Sequence, residues 1–521
     1  MRVLIFHGYL LHGTGSNVYN AELGAALVRG GHELHLLSQE RDPFSLPWVD
    51  AAGDWDAGAL RVRVREREGV AAVRATVYRP DIGGVLPLYV ADRYEGFDAK
   101  PFPQLSDAEL DHYIASNVAA VREVVERARP DVALANHLVM APLIFARALE
   151  DVPYAIKVHG SDLEYVVKPH PRFRPHAVEG AARAKAFLVG SRHTGQTLWD
   201  ELDDPSVPPR TKLGPPGVDV ERFTPRAVDL GVLRERLAAI APAAATGSSF
   251  DRDTGEAVAA LDAVEPGDRL IVFVGKLIAS KGAELLLAAF PLVLAREPRA
   301  RLLVVGFGAF RERLEAFVDE LASGTVREVR GEDGRELPEL AAFLAALDES
   351  AASAGPAGAG RPTSLPLSAA AYFEAAAAAA GRVGFAGRLD HDEVADLLPA
   401  CEAMAVTSTF PEAFGMVAAE AAACGALPVV ANHSGLGEVA RTLRGAVPEE
   451  ARGWLSFELG DSSVVELADA LSGWLAAPDD LRERTRAAIV ETTRARYSWE
   501  GVARTVIAAG RGELDGLPDP L

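Results

Sequence analysis

The sequence predicts an α/β protein made of two doubly wound, Rossmann-like domains in tandem. Three observations predict it. Short β-branched or leucine-rich runs alternate with longer helical patterns from one end to the other. The alternation occurs twice, interrupted by the Pro/Gly-rich stretch "LGPPGVDVERFTP" (213–225). The chain has 521 residues, 49% hydrophobic and 24% charged, which suits more than one soluble core.

In the first domain, residues 1–215, the expected strands are RVLIF (2–6), ELHLLS (33–38), VALANH (132–137), YAIKVHG (154–160) and AFLVGS (186–191). In the second, residues 216–498, they are RLIVFVG (269–275), RLLVVGFG (301–308), RVGFAG (382–387), AMAVTS (403–408) and LPVVAN (427–432). Strands separated by helices pair in parallel, with both sheet faces covered. Two segments break the pattern. Residues 231–268 are Ala-rich with a polar tip, and 331–380 are biased to Ala, Gly and Pro. Both read as insertions, the second as a partly disordered surface segment or a lid.

The opening MRVLIFHGYLLHGTG reads as a first strand, because His7 and Gly8 cut its apolar run. Cys401 and Cys424 supply neither a disulfide framework nor metal-ligand spacing, which points to the reducing cytoplasm. No run of about 18 apolar residues occurs, so no membrane span is expected, and peripheral membrane contact stays open. The net charge of -21 divides into -5 for residues 1–230 and -16 for the remainder. Such acidity argues against nucleic acid as a partner, but a local pocket can still oppose the global field for a small anion.

Ligands of doubly wound sheets sit beyond the carboxyl ends of the strands, so a cleft between two such domains is the expected site. The stretch "TSTFPEAFGMVAAEAAACGALPVV" (407–430) places Glu412 after a strand and Glu420 inside an apolar helical run that begins near Phe414 or Gly415. A carboxylate in a buried helix needs a partner, either from elsewhere in the chain or from a ligand. The helix start offers free N–H groups and partial positive charge to an anion, and Gly415 permits close approach. Acceptor, anion cradle, acceptor is the order of groups that a sugar, a diphosphate and a ribose require. Lys276 and Lys281 in "KLIASKG" stand at another strand end, as point charges for phosphate. "VVGFGAF" (304–310) reads as a tight turn.

In the first domain Gly13 and Gly15 of "HGTGSNVYNAELGAAL" (12–27) would let backbone approach a phosphate, but the run is not GxGxxG, which weakens a dinucleotide reading. "KVHGSDLEY" (157–165) puts His159 at a strand end, either as a core residue or as a site residue. "DWD" (54–56) and "DRD" (251–253) follow no apolar strand and read as solvated loops, so no metal site is expected.

Together these residues resemble the retaining glycosyltransferases of family 4, with the GT-B architecture. The resemblance is carried by Glu412-AFGMVAA-Glu420, which matches E-x7-E, and by "VGKLIASKG", "GVDVERFTP", "LLVVGFGAF", "VGFAGRLDHDEVADLLPACEAMAVTST" and "YSWEGVA" (497–503). It implies that Glu412 meets the donor sugar, Glu420 the ribose, and Lys281 the diphosphate. Amides of Phe414, Gly415, Met416 and Val417 would hold sugar or phosphate. Lys276 stands where the family usually has arginine, keeping the charge and losing the bidentate fork. Gly15 would face the phosphates and His159 the transferred sugar, and a C-terminal helix (about 499–521) would cross back to the first domain. The implied activity is metal-independent transfer of a hexose from a UDP- or GDP-sugar to a hydroxyl acceptor (small molecule, glycan or lipid-linked) with α-linkage. The donor is a substrate, and no cofactor is implied.

"SNVYN" (16–20) is similar to a segment of enzymes that glycosylate inositol phosphate to begin mycothiol synthesis, making Asn17 and Tyr19 acceptor candidates. Asp92, Arg93 and Tyr94 either shape an acceptor pocket or form a structural loop. A catalytically idle nucleotide-sugar-binding or interaction module is the alternative function, and oligomeric state is not legible.

Overall fold

The structure, a computed structural model, describes every residue except 14, 57, 67–71, 90–95, 241–253, 327, 353–367 and 521. The chain divides into two compact units, Met1–Gly217 with Tyr497–Leu521, and Val218–Arg496.

The first unit is built on a nine-stranded sheet. Its strands are β1 (Arg2–Phe6), β2 (Glu33–Leu37), β3 (Ala51–Asp56), β4 (Ala59–Val64), β5 (Ala75–Arg79), β6 (Val132–Asn136), β7 (Tyr154–Lys157), β8 (Ala186–Val189) and β9 (Thr211–Leu213). They lie in the order β9-β8-β7-β6-β1-β2-β5-β3-β4. All neighbours run parallel except the β3–β4 hairpin at one edge. Central strands are buried along their length, as helices on both faces require. Helix α1 (Gly15–Arg29) follows β1. The chain's last long helix, Trp499–Arg511, packs in the same unit: Glu500 bonds Arg29 at 3.0 Å, and a Cβ on Gly510 would come within 2.3 Å of Val132.

One expectation is corrected here. "DWD" is not a loop but the end of β3, where Asp54 pairs with Arg63 and Arg79, each at 2.9 Å, and Asp56 with Arg61 at 2.9 Å. Cross-strand charge pairs take the place of apolar alternation on this edge. "DRD" lies outside the described residues.

The second unit holds a six-stranded, wholly parallel sheet of β10 (Arg269–Val274), β11 (Ala300–Val305), β12 (Val383–Gly387), β13 (Ala403–Val406), β14 (Leu427–Ala431) and β15 (Ser456–Phe457). The order is β12-β11-β10-β13-β14-β15. Both supposed insertions contain packed helices among their described residues, while 241–253 and 353–367, the second holding most of the Ala/Gly/Pro-rich tract read as partly disordered or a lid, lie outside the described residues. Leu340, Phe343, Leu344 and Leu347 of helix Pro338–Ala352 are buried, and so are Tyr372, Ala376 and Ala379 of helix Ala369–Ala380. The Tyr372 hydroxyl donates to the Ala288 carbonyl at 2.8 Å. Residues 231–268 likewise contain helices Leu230–Ala238 and Thr254–Asp262, with Leu233, Leu237, Ala257 and Ala260 buried. In the described helices, alanine-rich faces let neighbouring helices approach closely. Among the described residues no helix is long and apolar enough to cross a membrane.

Candidate active site

In the second unit, chemistry-bearing residues gather where β10, β11, β13 and β14 end. The turns after β10 and β11 touch backbone to backbone: a Cβ on Gly306 would sit 1.9 Å from the Gly275 carbonyl oxygen. Gly308, at φ +152°, meets the Leu277 carbonyl in the same way, and Leu277 N–H donates to Phe307 at 2.7 Å. The glycines of "VVGFGAF" thus fix the turn that carries Lys276, which is half-buried. Lys281 closes a 3-10 turn, Ala279–Lys281, and Gly282 follows at φ +65° to lead into helix α2 (Ala283–Arg296). A side chain at Gly282 would strike the Thr407 carbonyl, and the Thr407 hydroxyl donates to the Lys281 carbonyl at 3.0 Å. The lysine turn and the end of β13 are therefore one rigid piece.

That junction brings Lys281 against Glu412, whose Oε1 takes bonds from Lys281 Nζ and, at 2.7 Å, from Ser408. The Glu412 N–H donates to Ser434 Oγ at 2.9 Å. Burial alone would raise the Glu412 carboxyl, but the charge of Lys281 and the bonds from Lys281 and Ser408 outweigh it and hold the group below its ordinary value. Helix α3 runs from Met416 to Cys424, one residue later than the expected start, because Gly415 takes φ +93° as its cap. A Cβ there would come within 2.3 Å of Leu436, at the first turns of helix α4 (Ser434–Arg444). Phe414 is buried, while Gly415, Met416 and Val417 are half-buried at the positive end of α3.

Glu420 does have an internal partner. Its Oε1 lies 2.9 Å from His391 Nε2, and His391 Nδ1 lies 3.1 Å from Arg222 NH1. A guanidinium only donates, so His391 Nδ1 accepts and Nε2–H points at Glu420. The reading that Glu420 meets a residue of the chain is correct, and the partner is an imidazole backed by an arginine. Among the described residues, only Oε1 of each acid is bonded, and neither Oε2 is sealed from solvent. Ser408, Ser434, His391 and Arg222 were not singled out in the sequence. Arg222 and His391 lie inside the quoted family segments "GVDVERFTP" and "GRLDHDEV", which is the signal that could have flagged them.

In the first unit three adjacent strands each run into a histidine: His7 after β1, His137 after β6 and His159 after β7. The rings of His137 and His159 are 4.6 Å apart, and Tyr89 lies 4.2 Å from His137. Burial lowers His7 to about 4, burial with repulsion from His7 puts His137 well below the usual imidazole value, and burial with repulsion from His137, Lys157 and His7 does the same for His159. Asn136 Oδ1 meets His159 Nε2 at 2.8 Å. Gly15 opens α1, exposed, with open space around it, whereas Gly13 is the glycine the backbone requires, at φ +96°. Glu40 ties down this loop. It accepts from Leu11 N–H and His12 Nδ1, both at 3.0 Å; burial would raise its carboxyl, yet these bonds hold it at about 2.

The acceptor candidates are placed as follows. Asn17 and Tyr19 are each 1% exposed: Asn17 is bonded to His7 and to the His12 carbonyl, and Tyr19 packs between His159 and Trp499. Both are buried on α1. Asp92, Arg93 and Tyr94 lie outside the described residues. Among the described residues no group of three or more His, Cys, Asp or Glu is placed to hold a metal ion.

Comparison with known proteins now adds to this geometry. Models described as "Glycosyl transferases group 1" match residues 268–354 and 371–489. A D-inositol 3-phosphate glycosyltransferase of Geodermatophilus obscurus is 26% identical over 486 residues, covering 91% of this chain and 88% of that protein. A glycogen synthase of Mycobacterium tuberculosis is 34% identical over 138 residues, 26% of this chain and 30% of its own. Among solved structures, sucrose-phosphate synthase from Thermosynechococcus elongatus superposes with a TM-score of 0.59 at 17% identity, covering 99% of both chains. Anabaena HepE in complex with UDP-glucose gives 0.54 at 16% identity, covering 97% of this chain and 98% of its own. The two Rossmann-like α/β units thus share the GT-B fold, and the matched segments support a glycosyltransferase built on it.

Proposed function

We propose that the chain is a retaining glycosyltransferase of the family 4 type. It moves a hexose from a UDP- or GDP-sugar to a hydroxyl acceptor held by the first unit, with α-linkage and without a metal. One observation carries this reading: Glu412 and Glu420 flank the amino end of α3, with Lys281 joined to Glu412, each acid keeping one oxygen for a ligand. Glu412 would grip the hexose hydroxyls and Glu420 those of the ribose. The amides of Gly415 to Val417, with Lys276 and Lys281, would neutralise the diphosphate as the C1–O bond breaks. The acceptor oxygen then bonds C1 on the face the nucleotide leaves, and its proton passes to a phosphate oxygen. Fixed cations take the place a metal would fill.

A second reading of the acceptor is favoured by the full-length similarity to an inositol-phosphate glycosyltransferase: an inositol phosphate as the group glycosylated. The test is incubation with UDP- and GDP-hexoses, with and without inositol phosphate, followed by proton NMR of the anomeric centre. An α-linked product made in EDTA supports the proposal; a β-linked product, or activity that requires added metal, refutes retention or metal independence respectively.

A further inference from the structure

We propose that Asn136 is a positioning residue: it holds His159 as the tautomer protonated on Nε2, so that Nδ1 offers a lone pair to a substrate hydroxyl. This rests on the reading of His159 as a sugar-facing residue of the proposed transferase.

The two ends of a side-chain amide are told apart only by their partners. Here backbone carbonyls, which can only accept, identify every one. Asn17 Nδ2 lies 2.7 Å from the His12 carbonyl, Asn20 Nδ2 lies 2.9 Å from that of Ser16, and Asn136 Nδ2 lies 3.2 Å from that of Phe6. With its nitrogen turned to Phe6, Asn136 must turn its oxygen to His159, where Oδ1 meets Nε2 at 2.8 Å. An amide oxygen only accepts, so Nε2 carries the proton. Asn20 and Asn136 also pair amide to amide, at 2.8 and 3.2 Å, which fixes the plane of Asn136.

His159 has one ring proton to place. Burial keeps it neutral, and so does the proximity of His137, Lys157 and His7. With Nε2 protonated, Nδ1 is bare, and among the described residues nothing bonds it. Tyr19 packs edge-on at 5.1 Å and His137 at 4.6 Å, so the ring cannot swing freely. A neutral imidazole offering a lone pair recognises a hydroxyl proton and repels a phosphate oxygen. The chemistry it selects is the hydroxylated sugar rather than the charged part of either substrate.

The test uses the full chain labelled with ring-15N histidine, with His159→Gln to assign the signal. Two-bond 1H–15N correlation of the wild type should show Nε2 protonated and Nδ1 bare; a proton on Nδ1 overturns the inference. Asn136→Ala should release the tautomer and cut kcat/KM for hydrolysis of UDP-glucose or GDP-mannose about tenfold, the scale of one lost hydrogen bond. Asn136→Asp keeps the accepting oxygen and should keep the Nε2 proton. An Asn136→Ala protein with unchanged tautomer or unchanged kcat/KM refutes the positioning role. A wild type that hydrolyses neither sugar counts against the proposed function, whereas the spectra still decide the tautomer.

Discussion

Lys281→Ala separates holding a carboxylate from holding a diphosphate. In the fold the lysine and Glu412 are about a quarter to a third exposed, at 31% and 23% of their side chains. A fully exposed pair is worth about 0–1 kcal/mol, and breaking a buried one costs about 3–5 kcal/mol. This half-buried pair should therefore cost about 1–2 kcal/mol of stability at neutral pH, readable by urea denaturation. The sign with pH follows from Glu412, whose folded value is depressed. Its contribution is present above the unfolded value and lost as pH falls through the folded one, so the variant and wild type should converge in acid. Catalysis should lose more, about 2–4 kcal/mol in kcat/KM, by analogy with removing a preorganised donor from developing charge. The double variant with Glu412→Gln decides the mechanism. If Lys281 serves only Glu412, its loss costs nothing once Glu412 is neutral; if it serves the diphosphate, the penalty persists. A kcat/KM within a factor of two of wild type for Lys281→Ala would refute the assignment altogether.

Four further outcomes are expected. Glu412→Gln should lower kcat more than it weakens UDP binding, measured by calorimetry alongside turnover, since a sugar contact that tightens in the transition state acts on rate. His391→Ala should leave the Glu420 carboxylate without its imidazole and weaken UDP affinity about tenfold with kcat less affected; an unchanged Kd for UDP would remove Glu420 from the ribose site. Glu40→Gln should cost about 2 kcal/mol at pH 7, with the difference fading between about pH 4.5 and 2, because the folded carboxyl titrates below its unfolded value. Gly306→Ala, whose new methyl would sit 1.9 Å from the Gly275 oxygen, should lower the unfolding free energy by about 1–3 kcal/mol, read by urea denaturation, and raise the donor KM.

The central strands were legible because they are short apolar runs between helical patterns, and all ten expected ones are present. Four of the strands missed in the two large sheets fail that rule for physical reasons, whereas β5, the buried run ATVYR, does not. β3 and β4 form an edge hairpin stabilised by aspartate–arginine pairs, and β9 and β15 are only three and two residues long. Helix Pro338–Ala352 was lost inside a biased composition, although Leu337, Leu340, Phe343/Leu344 and Leu347 keep helical spacing and are buried. In the candidate site, Glu412, Lys281 and Glu420 were visible as charges at strand ends or in an apolar helix. Their partners were not, since Ser408, His391 and Arg222 are ordinary residues until the fold brings them together.

The buried acid in α3 posed a choice between an internal partner and a ligand, and the geometry shows why the two need not compete. A carboxylate has two oxygens and about four lone-pair directions. His391 engages one oxygen of Glu420, and Lys281 with Ser408 engage one oxygen of Glu412. At Glu412 these partners outweigh the desolvation that burial imposes and hold the carboxyl below its ordinary value. The imidazole of His159 follows the same logic in the other unit, with Asn136 fixing one nitrogen and leaving its counterpart free. In each case half of a bifunctional polar group is held by the fold, and the remaining half, already oriented, is left to bind.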